Sequence, residues 1–341
     1  AGDDIIPQQN WNLLAHLALG VTTVHNPSSS AKSAFAAAEY ARTDRILGPR
    51  IFSTGEIVYG AKSTSWAPID NLDDALAHVR RLAAQGAISV KNYNQPRREQ
   101  RQQVIEAARQ EGLISVAEGG SLYQLDMSMI ADGITGIEHN VPTLKMYDDV
   151  HQFWRQSGAG YTPTLVVTYG GLTSEDYFYQ NTEVWKHPIL SNFVPPSQLQ
   201  ARSVRRVTAP EEDYRDDDSA AAAKILMDAG IMVNIGAHGQ REGLASHWEM
   251  WSFARGGFSP MEALATATIN PARHLGMDKD IGSLEAGKLA DLVIVDANPL
   301  DDIRNTDRIS HIMINGRLYR AGDLSEEVTG TATLSLFHWQ T

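Results

Sequence analysis

Short apolar runs alternate with longer segments of helical spacing along most of this chain. The clearest runs each lead to a polar residue, and they cover 87–91, 113–118, 136–139 and 231–237. Apolar runs of this length, bounded by glycine, are typical of strands that are buried on both faces. A helix-like stretch follows each run. The pattern therefore predicts repeated strand–helix units that close into a barrel, with polar groups at one rim.

The remaining elements extend the same alternation and then end in a different pattern. Further strands are predicted at 21–24, 50–53 and 161–169, and helices at 8–19, 29–41, 71–85, 96–111, 122–132, 145–157, 217–230, 242–255 and 260–275. A loop is predicted at 54–68. Residues 170–216 have no regular period of hydrophobic positions, which indicates a lid or another functional excursion. The end of the chain is β-rich, with a strand within 282–296 and a hairpin at 309–319 whose turn is Asn315-Gly316.

Length, charge and cysteine content narrow the class of protein. A chain of 341 residues fits one barrel with a small appendage. The net charge of −12 leaves no basic surplus to neutralise phosphates, so we expect no nucleic-acid partner. No run of 18 apolar residues occurs, and we expect no membrane span. The absence of cysteine excludes disulfides and thiolate metal sites, and it leaves a soluble protein of cytoplasmic, periplasmic or secreted location open.

Four charged or imidazole side chains stand at the ends of predicted strands: Lys91, Glu118, His139 and His238. In a barrel these ends meet at one rim, so we expect the four side chains to converge. Carboxylate and imidazole groups are good ligands for zinc or manganese. By spacing alone, however, a buried ion pair between Lys91 and Glu118 explains both residues without a metal, and it is the favoured interpretation of the spacing.

The end of the chain resembles a known superfamily. The block Gly282–Asp296, which follows Ala267–Gly276, closely resembles the C-terminal signature of the amidohydrolase superfamily, and Gly20–Val24 resembles its N-terminal part. The chain is most similar to imidazolonepropionase- and prolidase-like members, a branch that is often fused to a TolB-like propeller.

This resemblance implies a fold and an activity. The expected fold is α/β, a (β/α)8 TIM-type barrel over residues 1–275. Residues 276–341 form the rest of a small β-sandwich domain built from both chain ends. The expected activity is hydrolysis of an amide, peptide or cyclic amide C–N bond, in a small molecule or short peptide, by a metal-activated water.

The resemblance also assigns candidate metal ligands, with two departures. Lys91 matches the strand-four position, where members carry a carboxylated lysine or a glutamate, and His139 matches the strand-six histidine. This match favours a metal site over the ion pair between Lys91 and Glu118. Glu118 stands where histidine is expected and His238 where aspartate is expected, an exchange that keeps one carboxylate and one imidazole. The first-strand His-x-His motif is absent. The resemblance therefore implies that most of the first strand lies upstream of Ala1, in a fused or separate N-terminal portion.

The expected chemistry gives these residues roles. Burial inside a barrel favours the neutral amine of Lys91, to which carbon dioxide adds, and the resulting carbamate can bridge two divalent ions, for which zinc is favoured. His238 replaces the family's proton-transferring aspartate, so it is either the general base or a ligand, with Glu118 the next candidate for the base. Tyr93, Tyr169 and Gln240 are weaker candidates for substrate contacts.

Several alternatives stay open at this stage. His25 also ends a predicted strand, but it is favoured as a structural residue or as a residue that contacts a metal ligand without binding the metal. For His247 a role in packing is favoured. The two substituted ligand positions and the missing His-x-His also suit a degenerate barrel that binds a ligand or partner without catalysis. The sequence does not settle the substrate, the metal, the number of ions or whether the protein is a homo-oligomer.

Overall fold

The computed structural model describes residues 9–62, 67–120, 122–330 and 334–341. Gln8, where the first helix is expected to begin, and part of the loop expected at 54–68 lie outside these residues. The helices are α1 (Trp11–Ala18), α2 (Ala31–Arg42), α3 (Leu72–Gln85), α4 (Arg98–Gln110), α5 (Tyr123–Ala131), α6 (Asp148–Ser157), α7 (Glu175–Asn181), α8 (Leu190–Phe193), α9 (Pro196–Gln200), α10 (Asp216–Asp228), α11 (Leu244–Arg255), α12 (Pro260–Thr266) and α13 (Ile269–His274). The strands are β1 (Thr23–Asn26), β2 (Arg50–Ser53), β3 (Ser89–Lys91), β4 (Ile114–Glu118), β5 (Gly136–Glu138), β6 (Gly160–Thr162), β7 (Leu292–Val295), β8 (Ile309–Ile314) and β9 (Arg317–Arg320).

The first six strands are parallel and neighbour one another in chain order. β1 pairs with β2, and β3, β4, β5 and β6 form a four-stranded sheet. Two isolated parallel bridges continue this order, from Val58 to Asn92 just after β3 and from Tyr161 of β6 to Val233. Consecutive parallel strands connected by helices form the wall of a barrel. The fold is therefore the α/β barrel that the sequence predicts.

Two predicted strands are wrong in extent. The strand expected at 161–169 ends at Thr162, because Thr164 adopts a left-handed conformation with φ of 55° and a 3₁₀ helix, Leu165–Val167, follows. The run 231–237 forms no strand beyond the bridge at Val233. The Asn234 N–H completes that bridge by donating to the Tyr161 carbonyl, but the next N–H, that of Ile235, donates to Thr266 at the end of α12.

The single helix expected at 260–275 is two helices. Thr268 has φ of −129° and ψ of −91°, which no α-helix allows, so the backbone turns between α12 and α13. The predicted start of α12 is confirmed. Ser259 and Glu262 form a capping box in which each side chain binds the other's backbone N–H.

Buried side chains of the barrel helices pack together with buried side chains of the segment 170–216. Trp248 of α11 is fully buried and stacks on Phe178 of α7, with ring centroids 5.1 Å apart. His274 packs against the starts of β5 and β6, where a Cβ at Gly136 or Gly160 would come within 2.8 or 2.6 Å of its ring. Glycine is therefore required on both strands to admit the imidazole. The excursion is a packed part of the fold.

The C-terminal segment forms a three-stranded antiparallel sheet in the order β7-β8-β9. Asn315 and Gly316 both have positive φ, 52° and 77°, as the two-residue hairpin turn expected from the sequence requires. No helix among the described residues is both long and apolar enough to cross a membrane. The division of the chain at residue 275, and a sandwich that includes the N-terminal end, stay predictions.

Candidate functional site

Lys91 and Glu118 lie at the ends of neighbouring strands and face each other. In the β3–β4 register Lys91 stands opposite Val116, so Glu118, two residues further, points to the same side of the sheet. The Lys91 Nζ atom lies 3.7 Å from Glu118 Oε2. The Lys91 side chain is only 3% exposed, whereas that of Glu118 is 26% exposed. This is the ion pair that the metal-free interpretation of the spacing predicts.

Glu138 is a member of the site that sequence reasoning did not select. It stands directly opposite Glu118 in the β4–β5 register. Burial raises the pKa of Glu138 to about 7, the charge of Lys91 opposes that rise and the charge of Glu118 adds to it. One ammonium thus interacts with two carboxyl groups. The signal was present in Ile137-Glu138-His139, which was interpreted only for its histidine.

His139 and His238 bring two imidazole rings together from opposite sides of the site. Their ring centroids lie 5.2 Å apart, and the rings are steeply inclined. Burial, with smaller contributions from the nearby His238 and Lys91, lowers the pKa of His139 to about 4. Partial burial also lowers the pKa of His238, which Glu118 opposes. Both rings are therefore neutral at pH 7 and have a nitrogen lone pair to offer.

The backbone at both histidines is unusual. His139 has φ of 71° and His238 has φ of 54°. Such left-handed conformations are costly for residues other than glycine, and they are concentrated at functional sites, where the surrounding structure enforces them. Each histidine ends a barrel segment and turns its ring toward the other. Sequence patterning does not reveal this turn of the backbone.

Tyr169 covers one side of the site, although its predicted strand is absent. Its ring stacks on His139 with centroids 5.1 Å apart and is 40% exposed. The side-chain amide of Asn140 holds the Tyr169 backbone, accepting its N–H at 2.8 Å and donating to its carbonyl. Tyr93, the second tyrosine candidate, makes an edge contact with Tyr59 at 6.2 Å. Gln240 follows the left-handed His238, and its backbone N–H donates to Ala237.

The two histidines set aside by the sequence analysis lie outside the rim. His25 contacts Ser89, two residues before Lys91 on the same face, with Nε2 2.7 Å from the hydroxyl oxygen. Burial lowers the pKa of His25 to about 4, and His274 and Lys91 contribute to the decrease. His247 is buried and donates from Nε2 to the Leu19 carbonyl at 3.0 Å. His25 thus lies one layer below Lys91, and His247 joins α11 to the end of α1.

Asp126 is a second carboxyl group that the sequence did not indicate. It is fully buried behind Glu118 and accepts the Gly120 N–H at Oδ1 over 3.1 Å. Its Oδ2 atom has no hydrogen-bond partner among the described residues. Burial raises the pKa of Asp126 to about 7, and the Gly120 N–H limits the rise. The turn that follows Glu118 therefore depends on a carboxyl group that is costly to ionise.

The side chains fit a divalent cation in their chemistry. His139 Nδ1 is buried without a hydrogen-bond partner in the described structure, and the adjacent His238 and Glu118 add a nitrogen and an oxygen donor. Nitrogen and carboxylate donors suit zinc. Among the described residues, however, no three side chains of His, Cys, Asp or Glu lie close enough together to enclose an ion. The nitrogen and oxygen donors are present, but they would have to move closer together to coordinate one ion.

The fold is an α/β barrel with polar side chains at the ends of its strands. The model of the amidohydrolase family matches residues 12–319, nearly the whole chain. The protein belongs to the amidohydrolase family, as the resemblance of its C-terminal block predicts.

Individual relatives match over shorter segments. The chain is 40% identical over 81 residues to the imidazolonepropionase of Shouchella clausii, a match that covers 23% of this chain and 18% of that protein. It is 29% identical over 147 residues to a 5-methylthioadenosine/S-adenosylhomocysteine deaminase of Moorella thermoacetica, covering 36% of this chain and 34% of that enzyme. These matches thus span about a third or less of either curated relative.

A solved structure matches over almost the whole fold. A Xaa-Pro dipeptidase crystallised with methionine in its active site superposes with a TM-score of 0.68 at 21% identity. The superposition covers 91% of this chain and 77% of that one. At this identity the likeness shows the fold, and it confirms the barrel predicted from the sequence.

Proposed function

We propose that this protein is a metal-dependent hydrolase that cleaves an amide, peptide or cyclic amide C–N bond. The observation that carries the proposal is the convergence of Lys91, Glu118, His139 and His238 at one end of a barrel that belongs to the amidohydrolase family. Relatives of the chain bear the names imidazolonepropionase, deaminase and Xaa-Pro dipeptidase. These names support a small molecule or short peptide as substrate.

In this proposal His139 and Glu118 hold a divalent cation, for which zinc is the best fit, and His238 is either a third ligand or the general base. When bound, the cation supplies a Lewis acid that polarises the scissile carbonyl and makes a water more acidic. His139 contributes a neutral imidazole, because burial favours its uncharged form. His238 is the exposed member of the set, which suits it to accept a proton from water, and Glu118 is the second candidate for that step.

Lys91 has two states in this site. As an ammonium it balances the charge of Glu118, its partner at 3.7 Å, with Glu138 also close to it. Loss of a proton from Nζ, addition of carbon dioxide to the neutral amine and release of a second proton to solvent would convert it into an anionic carbamate beside two carboxyl groups. Three anionic groups in a buried site repel one another unless a cation holds them together. We therefore propose that carboxylation of Lys91 accompanies metal binding, with one or two ions.

Tyr169, Tyr93 and Gln240 are the proposed substrate contacts. Tyr169 is the best placed of the three, because its exposed ring continues the surface of His139. A flat, half-exposed ring beside the reacting groups can support an apolar or planar part of the substrate.

The Lys91–Glu118 pair supports one alternative function, a barrel that binds a ligand without catalysis. A lysine that is 3% exposed and already paired has a partner for its charge without a metal. The alternative expects no bound metal and no change in function in the Lys91→Ala variant. The hydrolase proposal expects a bound metal in the wild type and a loss of activity in that variant.

The test measures metal and activity together. The purified protein is analysed for zinc and manganese by mass spectrometry and assayed on aryl amides, Xaa-Pro dipeptides and cyclic amides. Lys91→Ala and His139→Ala should lose bound metal and lower kcat/KM by roughly a thousandfold, as loss of a major catalytic group does. The exposed Lys279→Ala serves as the matched control and should retain both. Full metal content and full activity in both site variants would refute the proposal.

A further inference from the structure

Glu249 is a fully buried acid on α11 that has no part in the chemistry described above. Its Oε1 atom accepts the backbone N–H of Val166 at 2.6 Å. The backbones of Leu165 and Gly236 also act on this carboxyl group and lower its pKa. One side chain therefore binds one backbone segment and interacts with a second that is far from it in sequence.

Both segments lead to the candidate site. Leu165 and Val166 belong to the 3₁₀ helix that follows β6, and Gly236 precedes His238 by two residues. The segments are in close contact, because a Cβ at Gly236 would lie 2.6 Å from Thr162 Cγ2 and 2.8 Å from Thr164 Oγ1. Glu249 reaches the place where they meet.

A strand ladder does not hold the second segment in the usual way. The segment 231–237 is joined to β6 by the single bridge between Val233 and Tyr161. Beyond this bridge the backbone of Ile235 turns to Thr266. Glu249 interacts with this segment at Gly236, where a longer strand would supply ladder hydrogen bonds.

Such a group is costly for stability. Glu249 Oε2 has no hydrogen-bond partner among the described residues, and an unsatisfied buried oxygen is unfavourable. Burial raises the pKa of Glu249 to about 8, although the three backbone contacts oppose the increase. An apolar side chain would fill this space without that penalty. The contacts that Glu249 makes with the two segments therefore point to a role other than stabilising the fold.

We propose that Glu249 is a positioning residue whose carboxyl group fixes the segment before His238 against the turn after β6, and so sets the distance between the His238 and His139 rings. The proposal deepens the hydrolase function and rests on it for the effect on catalysis. The effect on backbone position is independent of any activity. Neither depends on the identity of the substrate.

The first experiment measures position without catalysis. Amide hydrogen exchange of Val166 and Gly236, and the imidazole NMR shifts of His238, are recorded for the wild type, Glu249→Gln and Glu249→Ala. We expect exchange at Val166 to rise at least tenfold in Glu249→Ala, with a change in the His238 shifts. Glu249→Gln retains one acceptor oxygen and should give a smaller change in both. If Glu249→Ala fails to fold, the comparison of Glu249→Gln with the wild type in the same two measurements tests the proposal.

Ser252→Ala is the matched control. Ser252 lies one turn further along α11, is equally buried, and donates to Asp216 on α10 at 2.7 Å. The control removes a buried hydrogen bond from the same helix without touching either segment. It should leave Val166 exchange and the His238 shifts as in the wild type. Equal changes in Ser252→Ala would show that α11 packing is responsible, and would overturn the proposal.

The second experiment separates binding from turnover. On the aryl amide that the wild type hydrolyses best, Glu249→Ala should lower kcat roughly 10- to 100-fold and leave KM within about twofold, because misplaced reacting groups slow the chemical step. Glu249→Gln should restore part of kcat. A folded Glu249→Ala with wild-type kcat and wild-type exchange refutes the proposal. If the wild type hydrolyses none of the amides, the proposed function fails, and the exchange result still decides whether Glu249 positions the segment.

Discussion

Replacing Asp126 by asparagine should make the protein more stable at alkaline pH. Asp126 is fully buried, and Oδ1 accepts the Gly120 N–H. Asparagine retains an acceptor oxygen for that N–H and removes the charge. Its amide nitrogen takes the place of Oδ2, which has no partner among the described residues. The substitution therefore changes the ionisation of the site while leaving its shape intact.

The size of the effect follows from the pKa. Burial raises the pKa of Asp126 from its usual 3.8 to about 7, so the folded protein favours the neutral acid. The stabilisation linked to this group is complete below pH 4 and is lost as the pH rises toward 7. A change of roughly three pKa units corresponds to ~4 kcal/mol at alkaline pH. At pH 5 the loss is about 1.5 kcal/mol by the same relation.

Urea unfolding of the wild type and Asp126→Asn at pH 5, 6, 7 and 8 checks this prediction. The stability difference in favour of the variant should grow by roughly 2–3 kcal/mol between pH 5 and pH 8. Asp73→Asn, at an exposed first-turn position of α3, is the control and should show no such growth. A difference that stays constant with pH, or that shrinks, would refute the reasoning from burial.

Three further predictions concern the hairpin, the site surface and the metal. Gly316→Ala should lower the free energy of unfolding by about 1–2 kcal/mol, because φ is 77° at this residue, although a Cβ would meet no atom within 4 Å. Gly322 is equally open but has no positive φ, so Gly322→Ala should be neutral. Equal effects of the two substitutions in thermal unfolding would refute the argument from backbone conformation. Tyr169→Ala should raise KM roughly 2- to 10-fold with little change in kcat, since it removes an exposed ring beside His139, and an unchanged KM in steady-state kinetics would exclude the contact. Dialysis against a chelator should abolish hydrolysis and added zinc should restore it; activity that survives complete removal of metal would contradict the proposed function.

The order of the strands and the identity of the family could be predicted from the sequence. Apolar runs ending in a polar residue located β3, β4 and β5 to within a few residues. These strands are short and buried, and local composition is enough to mark them. The turn at Asn315-Gly316 was equally clear, since few residue pairs adopt its geometry. The limits of β6 could not be predicted, because apolar residues after Thr162 suit a buried 3₁₀ helix as well as a strand.

The candidate site was predictable only in part, for a reason of geometry. Residues that end consecutive strands must share a rim, and Lys91 and Glu118 were found in this way. Glu138 is adjacent to His139 but was not predicted as a site residue. The sequence does not show which of two adjacent side chains faces the barrel interior. Asp126 and Glu249 lie on helices, where an acid normally indicates a solvent-exposed face. Only the packing shows that both are buried.

The sequence by itself determined the barrel class, the family and the polar residues at the strand ends, because these depend on local composition and on motifs that persist along the chain. The tertiary structure alone decided which groups meet: the Lys91 ammonium with the carboxyl groups of Glu118 and Glu138, the two imidazole rings at 5.2 Å, and a helix acid that accepts the Val166 N–H. Burial and close contact arise from segments that are distant in sequence, and they set the charges and positions on which chemistry depends.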